Sequence, residues 1–473
     1  MKYFGEYISN NRIFLTLISL CFIGASILGQ TFRLTPLTER FDPDVQKFAF
    51  IIPNQDTPSG VSGLKASDCG VCHQTIYMEW KNSTHANALH DIQFQSELTK
   101  HDSPKWLCLN CHIPVQNQRE FKITHLIEND IFFPVISANP NYDPQLQQEG
   151  ITCITCHVRT DKETGKSMII GSNGSQFAPH PVKQDQDFLR NICQRCHNPL
   201  GRPLTENLIC WFTTTQELAE GQTNLMNLHG GKRDCVDCHL PAQKRLAADN
   251  FTSLPERSVN AHHWTGSGIP KWYHGYDSLL SRGYEPGLDV QVSLDDYVKS
   301  DSAVTINIYI KNARSGHYLS TGDPERTIVV VAAIADSNDH LVMREERIGQ
   351  VWKWSPARKI SDNRLKQGEE KQWDVTLPLP EKKEGLKVVV TAYHVRLKTE
   401  TAKYVMQAKN VDEKLLPNGN YLVAHLPEYY PFANYVFKEE IDLQTNQRRT
   451  YTLEELIQLS KEEQGKALEE RDY

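Results

Sequence analysis

The chain has 473 residues, 39% apolar and 23% charged, which is long for a single domain and lean in aliphatic side chains for its size. The formal charge of -7 and the lack of a Lys/Arg run argue against a nucleic-acid partner, because binding phosphate takes a basic face. Two or three domains are expected, with something other than aliphatic packing filling part of the interior.

The N-terminal segment, 1–35, places Lys2 and Arg12 before an apolar run from Ile13 to Gly29. A run of that length falls between a signal-peptide core and a membrane span, and either marks an exported chain. Leu28 and Ile27 stand where a cleavage site wants small residues, so the expectation is an uncleaved membrane helix with the body on the periplasmic or cell-surface side; the alternative is a cleaved, soluble periplasmic protein. Cys21 reads as apolar filler within the run. Residues 36–60 read as a linker.

Between 61 and 290 ten of the twelve cysteines fall into five Cys-x-x-Cys-His motifs. These are Cys69/Cys72/His73, Cys108/Cys111/His112, Cys153/Cys156/His157, Cys193/Cys196/His197 and Cys235/Cys238/His239. Disulfides are the default for an exported cysteine-rich chain but need neither a histidine nor a uniform gap. Zinc sites use Cys-x-x-Cys pairs yet rarely need a His after every second Cys. Covalent c-type haem needs all three residues at this spacing. One helical turn sets both thiols on one side for thioether bonds to the porphyrin, and the adjacent His reaches the iron. The motifs start 39, 45, 40 and 42 residues apart, an approximate repeat in which each unit supplies one haem. Five haems then form the core of this region. The expectation is short motif helices, long loops and almost no sheet before about residue 290.

From about Leu294 the pattern becomes strand-like. Val304, Ile306, Ile308 and Ile310 alternate with polar residues, and TIVVVAAIA from Thr327, QWDVTLPLP from Gln372, LKVVVTAYHVRL from Leu386 and a short KYVMQA add further strand candidates. Residues 291–445 are expected to form an antiparallel, immunoglobulin-like β-sandwich without a catalytic constellation. Residues 446–473 read as a charged amphipathic helix on the surface. Cys210, in LICWF, reads as a buried apolar thiol. The fold class expected is α+β and multidomain: an N-terminal membrane helix, a mostly α and irregular five-haem domain, and the sandwich.

The motifs and the segments between them resemble the multihaem c-type cytochromes related to the tetrahaem electron acceptor of hydroxylamine oxidoreductase. The resemblance rests on Cys69 to His73 followed by WKNSTHA from Trp80, and on WLCLNCHIP, GITCITCHV, APHPV, CVDCHLP, AHHWTG and GHYLSTGDPER, over roughly residues 60 to 400. It implies distal iron ligands at His85, His180, His262 and His317, with His263 a rival to His262 and His229 a weaker candidate. His90, His101, His125 and His274 favour a surface reading, and His340, His394 and His425 a structural one. The chain departs from the family pattern at Ser320, where Pro is common, and at Leu240, where Met is common; neither change removes a ligand.

Two functions are open at this point. One is an electron-transfer protein that passes electrons through five haems between a membrane or periplasmic donor, in anaerobic respiration, and a redox partner protein. The other is a redox enzyme in which one five-coordinate haem acts on nitrite, hydroxylamine or a sulfur oxyanion. No Cys-x-x-Cys-Lys motif is present, which counts against the ammonia-forming nitrite reductases alone. The acidic chain, with two propionates added per haem, is expected to steer a basic partner.

Overall fold

The computed structural model describes residues 32–174, 177–199, 204, 212–295, 302–336 and 339–473. Cys21, Cys210 and the apolar run from Ile13 lie outside the described residues. The fold class is corrected to an α+β mixture among the described residues, where no helix is long and apolar enough to cross a membrane.

Five short helices carry the motifs: Ala66–Gly70, Lys105–His112, Cys153–His157, Gln194–His197 and Cys235–His239. Apolar packing around them is limited to small clusters. One joins Phe41, Phe48, Trp106, Leu107 and Leu126, and another joins Ile52, Val115, Leu146, Ile154 and Val158. The expectation of almost no sheet here is corrected by three small sheets. β1 (Leu34–Pro36), β2 (Phe121–Ile127) and β3 (Pro134–Ala138) form the first. β4 (Val158–Thr160), β5 (Ser167–Gly171) and β6 (Val182–Gln184) form the second, and β7 (Ala242–Arg245) pairs β8 (Arg257–Asn260). These strands are three to seven residues long, too short to show a period against their irregular surroundings.

The second half forms two facing antiparallel sheets. β9 (Leu288–Leu294), β10 (Ala303–Asn312) and β14 (Glu370–Pro378) make one, in the order β14-β10-β9. β11 (Thr327–Asp336), β12 (Asp339–Trp354), β13 (Ala357–Asp362), β15 (Leu386–Val395), β16 (Ala433–Asp442) and β17 (Arg448–Thr450) make the other, in the order β13-β12-β11-β15-β16-β17. Ile306, Ile308 and Ile310 meet Ile328, Val330, Val388 and Val390 in the shared core. The arrangement is an antiparallel β-sandwich, with the inner faces of the two sheets packed on one core.

β11 and β15 are apolar on both faces because both faces are covered. Val329, Val331 and Val395 pack outward against Val405, Val423, Leu426 and Phe432, and Ile92 from the motif region joins the same cluster. KYVMQA is corrected from a strand to part of the helix Thr399–Val405 in this covering layer. The C-terminal helix, Leu453–Glu462, is more than a solvated piece: Leu456 and Ile457 are buried, the latter against Tyr273, Tyr276 and Tyr284. Burying each aliphatic side chain there contributes about 1.5–3 kcal/mol.

The helix Thr214–His229 ties the two halves together. At Gly221 it runs against the loop between β10 and β11 so closely that a Cβ would stand 2.5 Å from the Gly316 carbonyl oxygen. Only glycine permits that approach.

Candidate cofactor cavity

Within each motif the chain makes a helical turn. His73 N–H donates to the Cys69 carbonyl at 3.0 Å and His197 N–H to that of Cys193 at 3.0 Å. This puts each histidine and both its cysteines on one side, as the spacing predicts. The last motif is capped by Asp234, whose carboxylate accepts from Val236 and Asp237 N–H. The motifs lie beside one another. The thiol of Cys69 is in hydrogen-bond contact with Cys153, that of Cys193 with Cys235, and that of Cys196 with Cys111. None of the ten motif cysteines is joined in a disulfide.

All five motifs line one connected cavity of about 2040 Å³, which also touches His85, His180, His262 and His317. Single small-molecule sites occupy roughly 300–1,000 Å³, so this space suits several large groups side by side. Its floor comes from the sandwich, through His317 in the β10–β11 loop and His394 on β15.

The histidines face one another in twos. His85 and His197 have ring centroids 6.1 Å apart, His157 and His262 6.1 Å, and His239 and His317 6.3 Å. His180 approaches His73, whose charge helps depress its pKa after burial. Two imidazoles on opposite sides of one metal ion, each about 2 Å from it, put their centroids about 6 Å apart. Among the described residues no three His, Cys, Asp or Glu side chains converge as a chelating cluster, as a structural zinc site would need.

Second partners orient the rings. Nδ1 of His73 contacts the Ala247 carbonyl at 2.5 Å, that of His112 the Ala88 carbonyl at 2.7 Å, and that of His157 the Ile170 carbonyl at 2.8 Å. His262 Nδ1 contacts the Asn260 carbonyl at 2.8 Å and His317 Nδ1 the Tyr318 carbonyl at 3.1 Å. An Nδ1–H given to a carbonyl leaves the Nε2 lone pair free to bind a metal, the usual arrangement around a metal-bound histidine. Burial pushes His85 down to about 3 and His112, His239 and His262 to about 4. All are neutral imidazoles at neutral pH, the form a metal requires.

His112 differs from the rest. The ring against it is Phe94, stacked with centroids 3.4 Å apart and planes at 3°. Phe94 carries no signal in the sequence beyond an apolar residue in the helix Ile92–Glu97.

The doubled histidine is resolved in space. His262 faces the cavity, whereas His263 turns to Glu79, Nε2 to Oε1 3.7 Å. Glu79 is buried, ion-pairs Arg245 and accepts from the His262 backbone N–H at 2.9 Å, so it fixes the segment that carries His262. His229, the weaker candidate, is exposed at the end of its helix and lies outside the cavity. His101 and His274 are exposed, His90 bonds Gln148 at 2.9 Å, His340 lies 3.9 Å from Asp472, and His425 stacks on Tyr421. His125 lies in β2, opposite Pro36 and Val135. His394 was expected to be structural; it is buried, its Nε2 has no hydrogen-bond partner, and it lines the cavity. Trp264, also unforeseen, touches both His85 and His262.

Residues 68–130 match the family model described as cytochrome c554 and c-prime. Comparison with curated proteins gives no match, and neither does comparison with solved structures. The matched residues contain the first two motifs and Phe94, and the match supports a c-type cytochrome that transfers electrons through covalently bound haem.

Proposed function

We propose that the chain is a five-haem c-type cytochrome that carries electrons between a membrane or periplasmic donor and a redox partner protein. The observation that carries this reading is the set of imidazole pairs, each joining a motif histidine to a histidine from a distant segment at the span one metal ion requires. Each motif would hold one haem by its two cysteines, with the adjacent histidine as proximal ligand. His180, His85, His262 and His317 would complete the irons of His73, His197, His157 and His239. Bound haem supplies a one-electron couple between ferric and ferrous iron.

The chain's own residues keep the imidazoles neutral by burial, fix their tautomers through backbone carbonyls, and crowd the motifs together through neighbouring cysteines. An exported location, periplasmic or at the cell surface, follows from Lys2, Arg12 and the apolar run behind them. The net charge of -7 favours a basic partner by steering. Pyridine haemochrome assay together with intact mass tests the reading: five haems per chain are expected, and a count of one or two would end it.

A second reading has its own support. Among the described residues His112 has Phe94 stacked on its face and no histidine ring across from it, where the other motif histidines meet a histidine or approach one, and this favours a redox enzyme with one open iron at His112, acting on nitrite, hydroxylamine or a sulfur oxyanion. Turnover of one of these with an artificial electron donor, lost in a variant without the Cys108/Cys111 attachment, would favour it over pure electron transfer.

A further inference from the structure

Trp264 stands between two of the imidazole pairs. Its ring lies 4.6 Å from that of His85 at 60°, and 5.3 Å from that of His262 at 85°, so it meets one obliquely and the other edge to face. Both separations fall in the range that favours tilted or edge-to-face aromatic contact. His85 is paired with His197 and His262 with His157, so one indole touches the outer ring of two different sites.

The backbone at Trp264 is held in the left-handed region, φ +47°, which a bulky side chain rarely adopts. Such a conformation persists when the surroundings over-determine it, and it clusters where a side chain must be aimed. The surroundings here are the buried Glu79 carboxylate on the His262 N–H, the Asn260 carbonyl on His262 Nδ1, and the turn through Gly266 and Gly268, both at positive φ. A relaxed backbone at residue 264 would swing the indole away from both histidines.

We propose that Trp264 is a positioning residue shared by two haem sites: its indole sets the ring orientations of His85 and His262 together and forms the side-chain contact that links the two irons for electron exchange. The proposal rests on the haem-ligand reading above. The orientation of an axial imidazole is among the levers by which a protein tunes a bound iron, and partners outside the ligand set fix it.

The test is low-temperature EPR of the oxidised holoprotein, with haem content measured on the same samples. In Trp264→Leu the g-values of two low-spin ferric signals are expected to shift together while the others stay in place, at unchanged haem content. Trp264→Phe, which restores one aromatic ring, is expected to give a smaller shift of the same two signals. Signals identical to wild type in both variants, or a shift confined to one iron, would overturn the shared role. If Trp264→Leu does not accumulate, a Trp264→Phe spectrum identical to wild type overturns it alone. A wild-type protein lacking low-spin signals altogether counts against the ligand reading instead, so the two failures are distinguishable.

Discussion

The imidazole of His317 lies parallel to that of His239, ring centroids 6.3 Å apart and planes within 2°, although one belongs to the sandwich and the other to the last motif. The loop bearing His317 is pressed into place by Gly221 against Gly316, and its Nδ1 is held by Ser315 Oγ at 3.0 Å and the Tyr318 carbonyl. A bond from each imidazole to one iron would clamp the two halves of the chain together. His317→Ala is therefore expected to replace one low-spin ferric EPR signal by a high-spin signal near one iron per chain, and to lower the melting temperature of the sandwich. His229→Ala, at an exposed helix end, should leave both unchanged. Retention of every low-spin signal in His317→Ala would remove His317 from the ligand set.

Phe94 on His112 makes a separate expectation. With Phe94 stacked on the face of His112, and no imidazole about 6 Å across from it among the described residues, the oxidised protein should show one high-spin iron per chain, and cyanide should bind one iron and spare the rest. Phe94→Ala removes the ring that buttresses the His112 imidazole and should speed cyanide binding by tenfold or so, equivalent to about 1.4 kcal/mol of barrier. Titration of the Soret band with cyanide reads both, and a protein that binds none in either form would leave the enzyme reading without a site.

Much of this site was legible because its chemistry is local. Two thiols and an imidazole within five residues announce themselves wherever the chain goes, and His85 and His180 stood in segments that resemble known ones. The partners were not legible because pairing depends on the path of the chain. Nothing in AHHWTG says that His262 faces inward while His263 turns to Glu79; that choice is made by a buried carboxylate on a helix over 180 residues earlier. His394 looked structural because it ends an apolar strand face of Val388, Val390 and Ala392, yet that face runs out of the sandwich core and onto the cavity wall. Trp264 and Phe94 read as ordinary aromatics because their significance lies in which ring they touch. In the second half, β10, β11, β14 and β15 were foreseen from alternation or continuous apolar runs, while β12 and β13 were hidden by an exposed, mixed composition that carries no clean period.

Glu325 predicts a pH dependence. Burial, and then the nearby Asp323 charge, push its carboxyl up to about 7 from an ordinary 4.5. A raised carboxyl pKa in the folded state means the folded chain binds more protons than the unfolded one between those values. Its stabilising contribution is therefore full below about pH 4.5 and is lost as the pH rises to 7, by an amount on the order of 3 kcal/mol at most. Glu325→Gln stays neutral throughout. It should melt at a higher temperature than the parent at pH 8 and at nearly the same temperature at pH 4.5. Equal melting temperatures at pH 8 would mean that the carboxyl is not held in this way.

Arg364 and Glu217 form the buried ion pair at the seam between the helix Thr214–His229 and the sandwich, Nη1 to Oε1 2.9 Å, each side chain 4% exposed. Glu217 also accepts from Thr213 Oγ1 at 3.0 Å, but its second oxygen has no partner, and Arg364 divides its guanidinium between Glu217 and Asp362. Removing one partner strands the other charge in the interior. Arg364→Ala should therefore cost about 3–5 kcal/mol, far more than a surface pair would. Replacing both, as Arg364→Met with Glu217→Leu, removes the more deeply buried carboxylate and leaves Asp362, which is more exposed and also paired with Lys359; it should recover most of that loss, since buried pairs exchanged for apolar groups of similar volume are often neutral or better. Denaturant unfolding of the parent, the single and the double variant decides it: a double variant no more stable than Arg364→Ala would show that packing at the seam, and not the uncompensated carboxylate, sets the cost.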